Sequence, residues 1–212
     1  MADAFSRTNV YVDGFNLYYG AVRGTPYKWL DIVRLCRTIL PKNHIQRVRY
    51  FTARTKARPD DPNVRDRQEA FLRALRTCPE VSIHFGSFRE DVKSMRLASP
   101  GPRGAKYANV IKTEEKGSDV NLASWLLLDC FRGDFETAIV ISNDADLITP
   151  IRMVASEFGR PVGLLNPYRK PARGLESAAT FYRAIRSTAV AACQFPDELA
   201  DSAGTFNKPS GW

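Results

Sequence analysis

Apolar and polar positions along the chain follow two periods that alternate with each other. Short apolar runs predict five buried strands, at residues 10–12, 48–53, 81–86, 138–142 and 161–165. Between them, apolar residues recur every three to four positions, which predicts helices at residues 29–40, 64–75, 118–131 and 145–158. Ser118 is the expected N-cap of the third helix, and Pro150 fits in or just after the first turn of the fourth. Strands that alternate with helices favour an α/β fold, a parallel sheet covered on both faces.

Two regions interrupt this alternation. Residues 88–112 carry basic side chains on both sides of a Pro-Gly-Pro sequence at 100–102, which predicts an inserted basic hairpin or flap. Residues 196–212 are rich in small, polar and turn residues, which predicts a loose C-terminal tail. The remaining length, residues 1–195, and a hydrophobic content of 44% are sufficient for one domain with a single good core.

The chain is basic, with a net charge of +8. Such a surplus favours nucleic acid or an anionic membrane as the partner. No apolar run approaches the length of about 20 residues that is needed to cross a bilayer. The N-terminus also lacks a signal-peptide pattern. The four cysteines are far apart in apolar or helical contexts, which indicates reduced thiols and a cytoplasmic location. Zinc is disfavoured because neither of the two histidines lies near a cysteine in sequence.

Aspartates stand where predicted strands end. Asp13 follows the first strand, Asp144 and Asp146 follow the fourth, and Asp119 lies in the first turn of the helix between them. Ligands of open α/β sheets bind beyond the carboxyl ends of the strands, so these side chains converge if the two strands are neighbours. An oxygen-rich site of this kind suits Mg²⁺ or Mn²⁺. Taken singly, Asp119 and Asp144 also fit as helix N-terminal acids, and Asp13 as a turn residue.

Three segments resemble the motifs of the NYN domain family, relatives of the PIN-domain nucleases. Residues 12–17 (VDGFNL) resemble its opening D-x-x-N motif, residues 116–123 (KGSDVNLA) its central motif, and residues 141–147 (ISNDADL) its S-x-D-x-D motif. The motifs occur in the family's order, and the resemblance covers about residues 8–166. It implies a PIN-like three-layer α/β/α sandwich with a parallel sheet of about five strands. It also implies hydrolysis of RNA phosphodiesters that depends on Mg²⁺ or Mn²⁺.

The resemblance assigns roles residue by residue. Asp13, Asp119, Asp144 and Asp146 would form the catalytic metal site, directly or through metal-bound water. Asn16 would hydrogen-bond a metal-bound water or a phosphate, with a helix or turn cap as the alternative.

Three further polar residues have open interpretations. Ser142 and Asn143 lie where a strand meets a helix, so they bind a phosphate or cap the helix. Asn143 also stands where many family members carry glycine. Lys116 contacts the scissile phosphate, pairs with an aspartate or is simply solvated. Glu114 and Glu115 fit better as surface charges than as metal ligands.

Basic and aromatic residues near the same edge would provide RNA affinity. Arg54, Lys56 and Arg58 lie in a turn-rich loop after the second strand, and we expect this loop to bind phosphates. Arg47 and Arg49 precede it, while the arginines of the following helix are expected to be solvated. Candidates for base stacking are Tyr18, Tyr19, Phe88 and Tyr107, which otherwise fill the core.

The favoured function is therefore a ribonuclease that uses a metal-activated water without a covalent intermediate. No Ser-His-Asp constellation supports nucleophilic catalysis, and two histidines in ordinary contexts disfavour a paired-histidine ribonuclease. The alternative is a non-catalytic RNA-binding or regulatory module on the same fold. A phosphatase would use the same metal but would prefer an enclosed pocket. The RNA substrate, internal or terminal cutting, the number of metals and a homodimer are left open by the sequence.

Overall fold

A computed structural model describes residues 5–57, 59–101 and 104–212. Its centre is a six-stranded sheet in the order β3-β2-β1-β6-β7-β8, and every neighbouring pair is parallel. The strands are β1 (Ser6–Asp13), β2 (Asn43–Thr52), β3 (Val81–Phe85), β6 (Thr137–Ile141), β7 (Val162–Asn166) and β8 (Phe181–Ala184). The predicted α/β fold is confirmed. The sixth strand, β8, has four residues, of which two are partly buried and two are exposed, so its apolar signal is weak.

Helices cover both faces of this sheet. They are α1 (Gly14–Leu17), α2 (Ile32–Ile39), α3 (Val64–Arg76), α4 (Ser118–Phe131), α5 (Ile148–Arg152), α6 (Leu175–Ala178) and α7 (Ser187–Ala192), with π-helical turns at Tyr18–Val22 and Met153–Glu157. The predicted helix at 145–158 is three segments, a 3₁₀ turn (Ala145–Leu147), α5 and a π turn. Pro150 lies inside α5, where it has no N–H to donate.

One predicted N-cap and one predicted helix start were wrong. The N-cap of α4 is Gly117, whose φ of 98° is accessible to glycine at low cost, and Ser118 is the first helical residue. Helix α2 begins at Ile32, three residues later than predicted. The carboxylate of Asp31 caps it by accepting the N–H of Arg34 at 2.9 Å, and Leu30 instead forms a β-bridge with Gln194.

Alternation along β1 divides the core into two layers. Val10 and Val12 point into the cluster that packs under α2, α3 and α7, while Tyr11 points into the opposite cluster with α4 and α5. All three side chains are fully buried. Because successive strand residues face opposite sides, one central strand anchors both layers and fixes where its last residue, Asp13, emerges.

The basic insert is a separate two-stranded antiparallel hairpin. Strand β4 (Ser87–Arg96) pairs with β5 (Tyr107–Lys116), with Phe88 opposite Glu115 near its base. This agrees with the expected hairpin, whose Pro102 and Arg103 lie outside the described residues. The base of the hairpin continues directly from β3 and directly into α4, so it is tied to the carboxyl edge of the sheet.

Residues 196–212 differ from the expected loose tail. Strands β9 (Glu198–Asp201) and β10 (Gly204–Asn207) form a second antiparallel hairpin, and Arg73 of α3 donates two hydrogen bonds to Asp201 at 2.7 Å each. The Trp212 ring lies 5.9 Å from that of Phe71. A few aromatic side chains therefore hold a segment whose small and polar residues are otherwise typical of a mobile tail.

No helix in the described part of the chain is both long and apolar enough to cross a membrane. The four cysteines are free thiols, of which Cys78 is partly exposed and the other three are buried.

Candidate active site

The sheet order brings three of the four predicted aspartates together. From β1 the chain moves outward to β2 and β3, whereas from β6 it moves outward in the other direction to β7 and β8. The boundary between β1 and β6 is therefore the point where strand order reverses, which is where open α/β sheets bind ligands. Asp13 ends β1 and Asp144 follows β6. These two strands pair directly, which confirms the expectation that they are neighbours.

A cavity of about 270 Å³ opens at this edge. Asp13, Asp119 and Asp144 line it together with Glu115, and the other lining residues are Phe15, Asn16, Tyr19, Phe88 and Ser118. The described lining thus contains four carboxylates and no basic side chain. Asp146 is exposed and does not line the cavity, although its charge acts on Asp119.

Asp13 is held rigidly in the cavity wall. Its Oδ1 accepts the backbone N–H of Asn16 at 2.9 Å. Its Oδ2 accepts the Asn16 side-chain amide at 2.6 Å and the Ser142 hydroxyl at 2.9 Å. Burial raises the pKa of Asp13 despite these three donors, because the carboxylate is almost completely removed from water.

Asn16 and Ser142 connect the end of β1 to the loop after β6. The side-chain oxygen of Asn16 accepts the N–H of Asn143 at 3.1 Å, and the Ser142 hydroxyl accepts the N–H of Asp144 at 3.1 Å. The Asn143 side chain bonds to backbone groups of Lys170 and Ala172. These three polar residues, which the sequence offered as phosphate contacts or caps, hold the backbone and carboxylates of the cavity.

Asp119 carries the strongest electrostatic perturbation in the cavity. The pKa of Asp119 is raised to about 6. Burial is the largest cause, followed by the negative charges of Asp13, Asp144, Glu115 and Asp146. Like charges that face one another in a partly dry site disfavour ionisation. A cation placed in the cavity would reverse that penalty, since it would be attracted by every one of these carboxylates.

The donor set suits a hard divalent cation. Carboxylate and amide oxygens are the ligands that Mg²⁺ and Mn²⁺ take, and Mg²⁺ commonly binds through one or two carboxylates and keeps several waters. As the side chains stand, no three Asp, Glu, His or Cys residues within 5–57, 59–101 and 104–212 approach closely enough to enclose an ion. An ion in this cavity would therefore be held by one or two of the carboxylates and by water rather than by a cage of protein ligands.

The predicted basic contacts lie outside this cavity. Lys116 pairs with Glu114 at 3.0 Å, Arg54 with Glu69 at 3.2 Å and Lys56 with Glu90 at 3.4 Å. Hydrogen bonds from Lys112 and Lys116 lower the pKa of Glu114 to about 2. Exposed pairs of this kind contribute little stability, so their cations stay available to a polyanion. Arg58 lies outside the described residues.

Among the aromatic candidates, Tyr19 and Phe88 line the cavity. Phe88 also meets Phe15 edge-on at 5.7 Å between ring centroids, which joins the basic hairpin to the site. Tyr18 lies in the wall of a neighbouring cavity that shares Phe15 and Tyr19 with the acidic one, and Tyr107 is 63% exposed on the hairpin.

Sequence reasoning discounted Glu115, yet this residue lines the cavity. Its Oε1 accepts the Ser118 hydroxyl at 2.8 Å and the Ser118 N–H at 3.2 Å, at the start of α4. The available signal was the spacing Glu115-x-x-Ser118-Asp119, which places an acid one turn before a helix that already begins with one.

Arg49 was grouped with the RNA-facing arginines, and that grouping was wrong. It is buried and donates two hydrogen bonds to Asp129, at 2.7 and 2.8 Å, while Tyr11 donates a third at 2.8 Å. Its guanidinium also lies 3.9 Å from the centre of the Trp125 ring. The signal in the sequence was Asp129, a lone acid inside the apolar run of α4, because a buried carboxylate needs a cationic partner.

Together, the parallel sheet and the carboxylates at its switch point define an α/β protein with an acidic site at the carboxyl edge of its sheet. The NYN domain profile matches residues 7–186, and the chain belongs to this family. Membership gives it a nuclease-like, RNA-related character.

Known proteins that resemble the chain include a curated relative and a solved structure. One is the 6-hydroxy-3-succinoylpyridine 3-monooxygenase HspA of Pseudomonas putida (strain DSM 28022 / S16), 32% identical over an alignment of 237 positions that covers 97% of this chain and 75% of the relative. The other is a crystal structure of a protein of unknown function from Vibrio parahaemolyticus RIMD 2210633. It has a TM-score of 0.56 and 16% identity, covering 88% of this chain and 96% of that one, and it bears on the fold alone.

Proposed function

We propose that the protein is a metal-dependent ribonuclease. The observation that carries this proposal is the convergence of Asp13, Asp119, Asp144 and Glu115 on one cavity at the switch point, with no basic side chain in its described lining. Such a cluster disfavours its own ionisation, as the raised pKa of Asp119 indicates. A divalent cation between the cluster and a phosphate relieves that repulsion and makes the edge attractive to a polyanion.

The residues of the acidic cavity would have distinct roles in this reaction. Asp119 and Asp144 have the more accessible carboxylates and would hold Mg²⁺ or Mn²⁺, while Asn16 and Ser142 fix the buried Asp13 beside them. Asp146 extends the negative field from the rim. A bound divalent ion would supply a water of lowered pKa and neutralise charge on the scissile phosphate.

The hairpin of β4 and β5 would bind the RNA backbone. Its base reaches the cavity through Phe88, and its exposed lysines and arginines form only weak surface pairs. Phosphate contacts by such residues give salt-dependent affinity without sequence preference. Tyr19 and Phe88, at the cavity itself, are placed to stack on bases beside the cleaved bond.

The experiment is cleavage of end-labelled single-stranded RNA with Mn²⁺, with Mg²⁺ and with EDTA. Asp144→Asn is the sharpest variant because asparagine still caps the 3₁₀ turn that Asp144 begins, so the fold is kept. We expect cleavage only with metal, and a loss of about 100-fold or more in the variant. Asp66→Asn, an exposed first-turn aspartate of α3, is the matched control and should retain full activity.

Cleavage in EDTA, or full activity of Asp144→Asn, would contradict the proposal. Salt-sensitive RNA binding that survives the substitution, without product under either metal, would support the alternative of a non-catalytic RNA-binding module.

A second candidate function follows from the relative named as a monooxygenase. The specific observation in its favour is an aromatic cavity that lies beside the acidic one. A monooxygenase inserts one oxygen atom of O₂ into its substrate and reduces the other to water with two electrons from a donor. Oxygen uptake with 6-hydroxy-3-succinoylpyridine and a two-electron donor, together with an oxidised product, would favour this candidate over RNA cleavage.

A further inference from the structure

A larger cavity, of about 430 Å³, lies directly behind the acidic one. We name it the aromatic cavity. Its walls are the π turn Tyr18–Val22, the end of β2, the face of α3 and the C-terminal segment, with Tyr18, Phe71 and Trp212 as aromatic walls. Its volume falls within the range of about 300–1,000 Å³ that is usual for small-molecule sites. Phe15 and Tyr19 line both cavities, so a molecule in one lies next to the other.

One hydroxyl in this wall has no protein hydrogen-bond partner among the described residues, and it is open to the cavity rather than sealed in the core. Tyr50 is 6% exposed and lines the aromatic cavity, and its hydroxyl makes no hydrogen bond to any residue in the described ranges. The end of the Tyr50 side chain packs closely against Gly14, where a Cβ would come within 2.7 Å of the hydroxyl. Because it faces the cavity and has no protein partner there, this hydroxyl can donate to a bound molecule.

The cavity also has one cation without a carboxylate partner in the described structure. Arg67 in the same wall is neutralised by Asp61 at 2.5 Å. Lys28 meets only the Gly211 carbonyl, at 3.5 Å. A lysine ammonium at the rim of an aromatic pocket attracts an anionic group whose apolar part enters the pocket.

We propose that the aromatic cavity binds a small planar heteroaromatic anion. The ring lies among Tyr18, Phe71 and Trp212, the Tyr50 hydroxyl donates to an oxygen or nitrogen acceptor on the ring, and Lys28 pairs with a carboxylate or phosphate. A free heteroaromatic carboxylate and a nucleotide share this chemistry. The site does not depend on RNA cleavage, and it would hold the substrate of the second candidate function.

The test is binding to the whole chain, measured by calorimetry and by tryptophan fluorescence, because Trp212 lines the cavity. The probes are 6-hydroxynicotinate and nicotinate in one arm, and AMP and UMP in the other. Cyclohexanecarboxylate is the non-aromatic control anion. We expect saturable one-to-one binding in at least one arm, and the arm that saturates identifies the source of the ring. Cyclohexanecarboxylate should bind at least tenfold more weakly.

Two variants test the contacts. Tyr50→Phe removes only the unpartnered hydroxyl, so we expect about tenfold weaker binding with an unchanged melting temperature, since one hydrogen bond contributes roughly this much. Lys28→Met should weaken binding by a similar factor and remove its salt dependence, while Lys42→Met, an exposed lysine elsewhere, should change nothing.

Absence of saturable binding in both arms would overturn the inference, and so would binding that neither Tyr50→Phe nor Lys28→Met alters. Because binding and cleavage are measured separately, failure of this inference is distinguishable from failure of the nuclease proposal.

Discussion

Replacing Asp119 by asparagine should stabilise the metal-free protein at neutral pH. The pKa of Asp119 is raised from 3.8 to about 6 in the folded state, so folding is penalised when this carboxyl must ionise. Below about pH 4 the group is protonated in both the folded and the unfolded chain, and the penalty is absent. The penalty develops as pH rises from about 4 to about 6 and is complete at pH 7 to 8.

The magnitude follows from the size of the pKa change. At about 1.4 kcal/mol for each tenfold change in proton affinity, a rise from 3.8 to about 6 corresponds to about 3 kcal/mol. Asp119 is half-buried, so solvent screening reduces this to about 1–2 kcal/mol. The negative charge of Asp119 also interacts favourably with the N-terminus of α4, by about 0.3–1 kcal/mol, and the Asp119→Asn variant loses this stabilisation. The expected net gain is about 1 kcal/mol, or about 2–4 °C in melting temperature.

The assay is urea denaturation of metal-free wild type and Asp119→Asn at pH 4 and pH 8. Asp66→Asn is the matched control, because Asp66 occupies the first turn of α3 but is exposed and outside the cavity. It should lose a few tenths of a kcal/mol at pH 8 through the helix dipole alone. Equal stability of Asp119→Asn and wild type at pH 8, or a gain that is as large at pH 4, would refute the electrostatic reasoning.

Two further substitutions test the packing that supports the site. Asp129→Ala leaves the Arg49 charge buried without its partner, so the free energy of unfolding should fall by about 3–5 kcal/mol in urea denaturation; Glu69→Ala, which removes an exposed ion-pair partner, should change it by less than about 0.5 kcal/mol. Trp212→Ala removes a partly buried ring from Trp29 and Phe71 and should lower the unfolding free energy by about 1–2 kcal/mol. Phe131→Ala, at a ring that is 78% exposed, should have almost no effect, and an equal loss there would contradict the role given to the C-terminal segment.

Much of the fold could be predicted because it depends on local pattern. The central strands are short apolar runs whose burial is complete on both faces, and helix α4 has the bounds that its periodicity indicates. Strand β8 could not be predicted, because its residues become a strand only when β7 offers an edge to pair with. The C-terminal hairpin could not be predicted for a similar reason. Its few aromatic side chains stabilise it only by packing against α3 and Trp29.

The same distinction between local pattern and long-range packing applies to the candidate site. By itself, the sequence determined the carboxylates at strand ends and their family motifs, because a strand end and the turn after it are set by neighbouring residues. Only the tertiary structure decided that Glu115 joins them, that Arg49 turns inward to Asp129, and that an aromatic cavity lies behind the acidic one. Each of these depends on segments far apart in the chain, and their approach is set by the packing of the whole core rather than by local sequence.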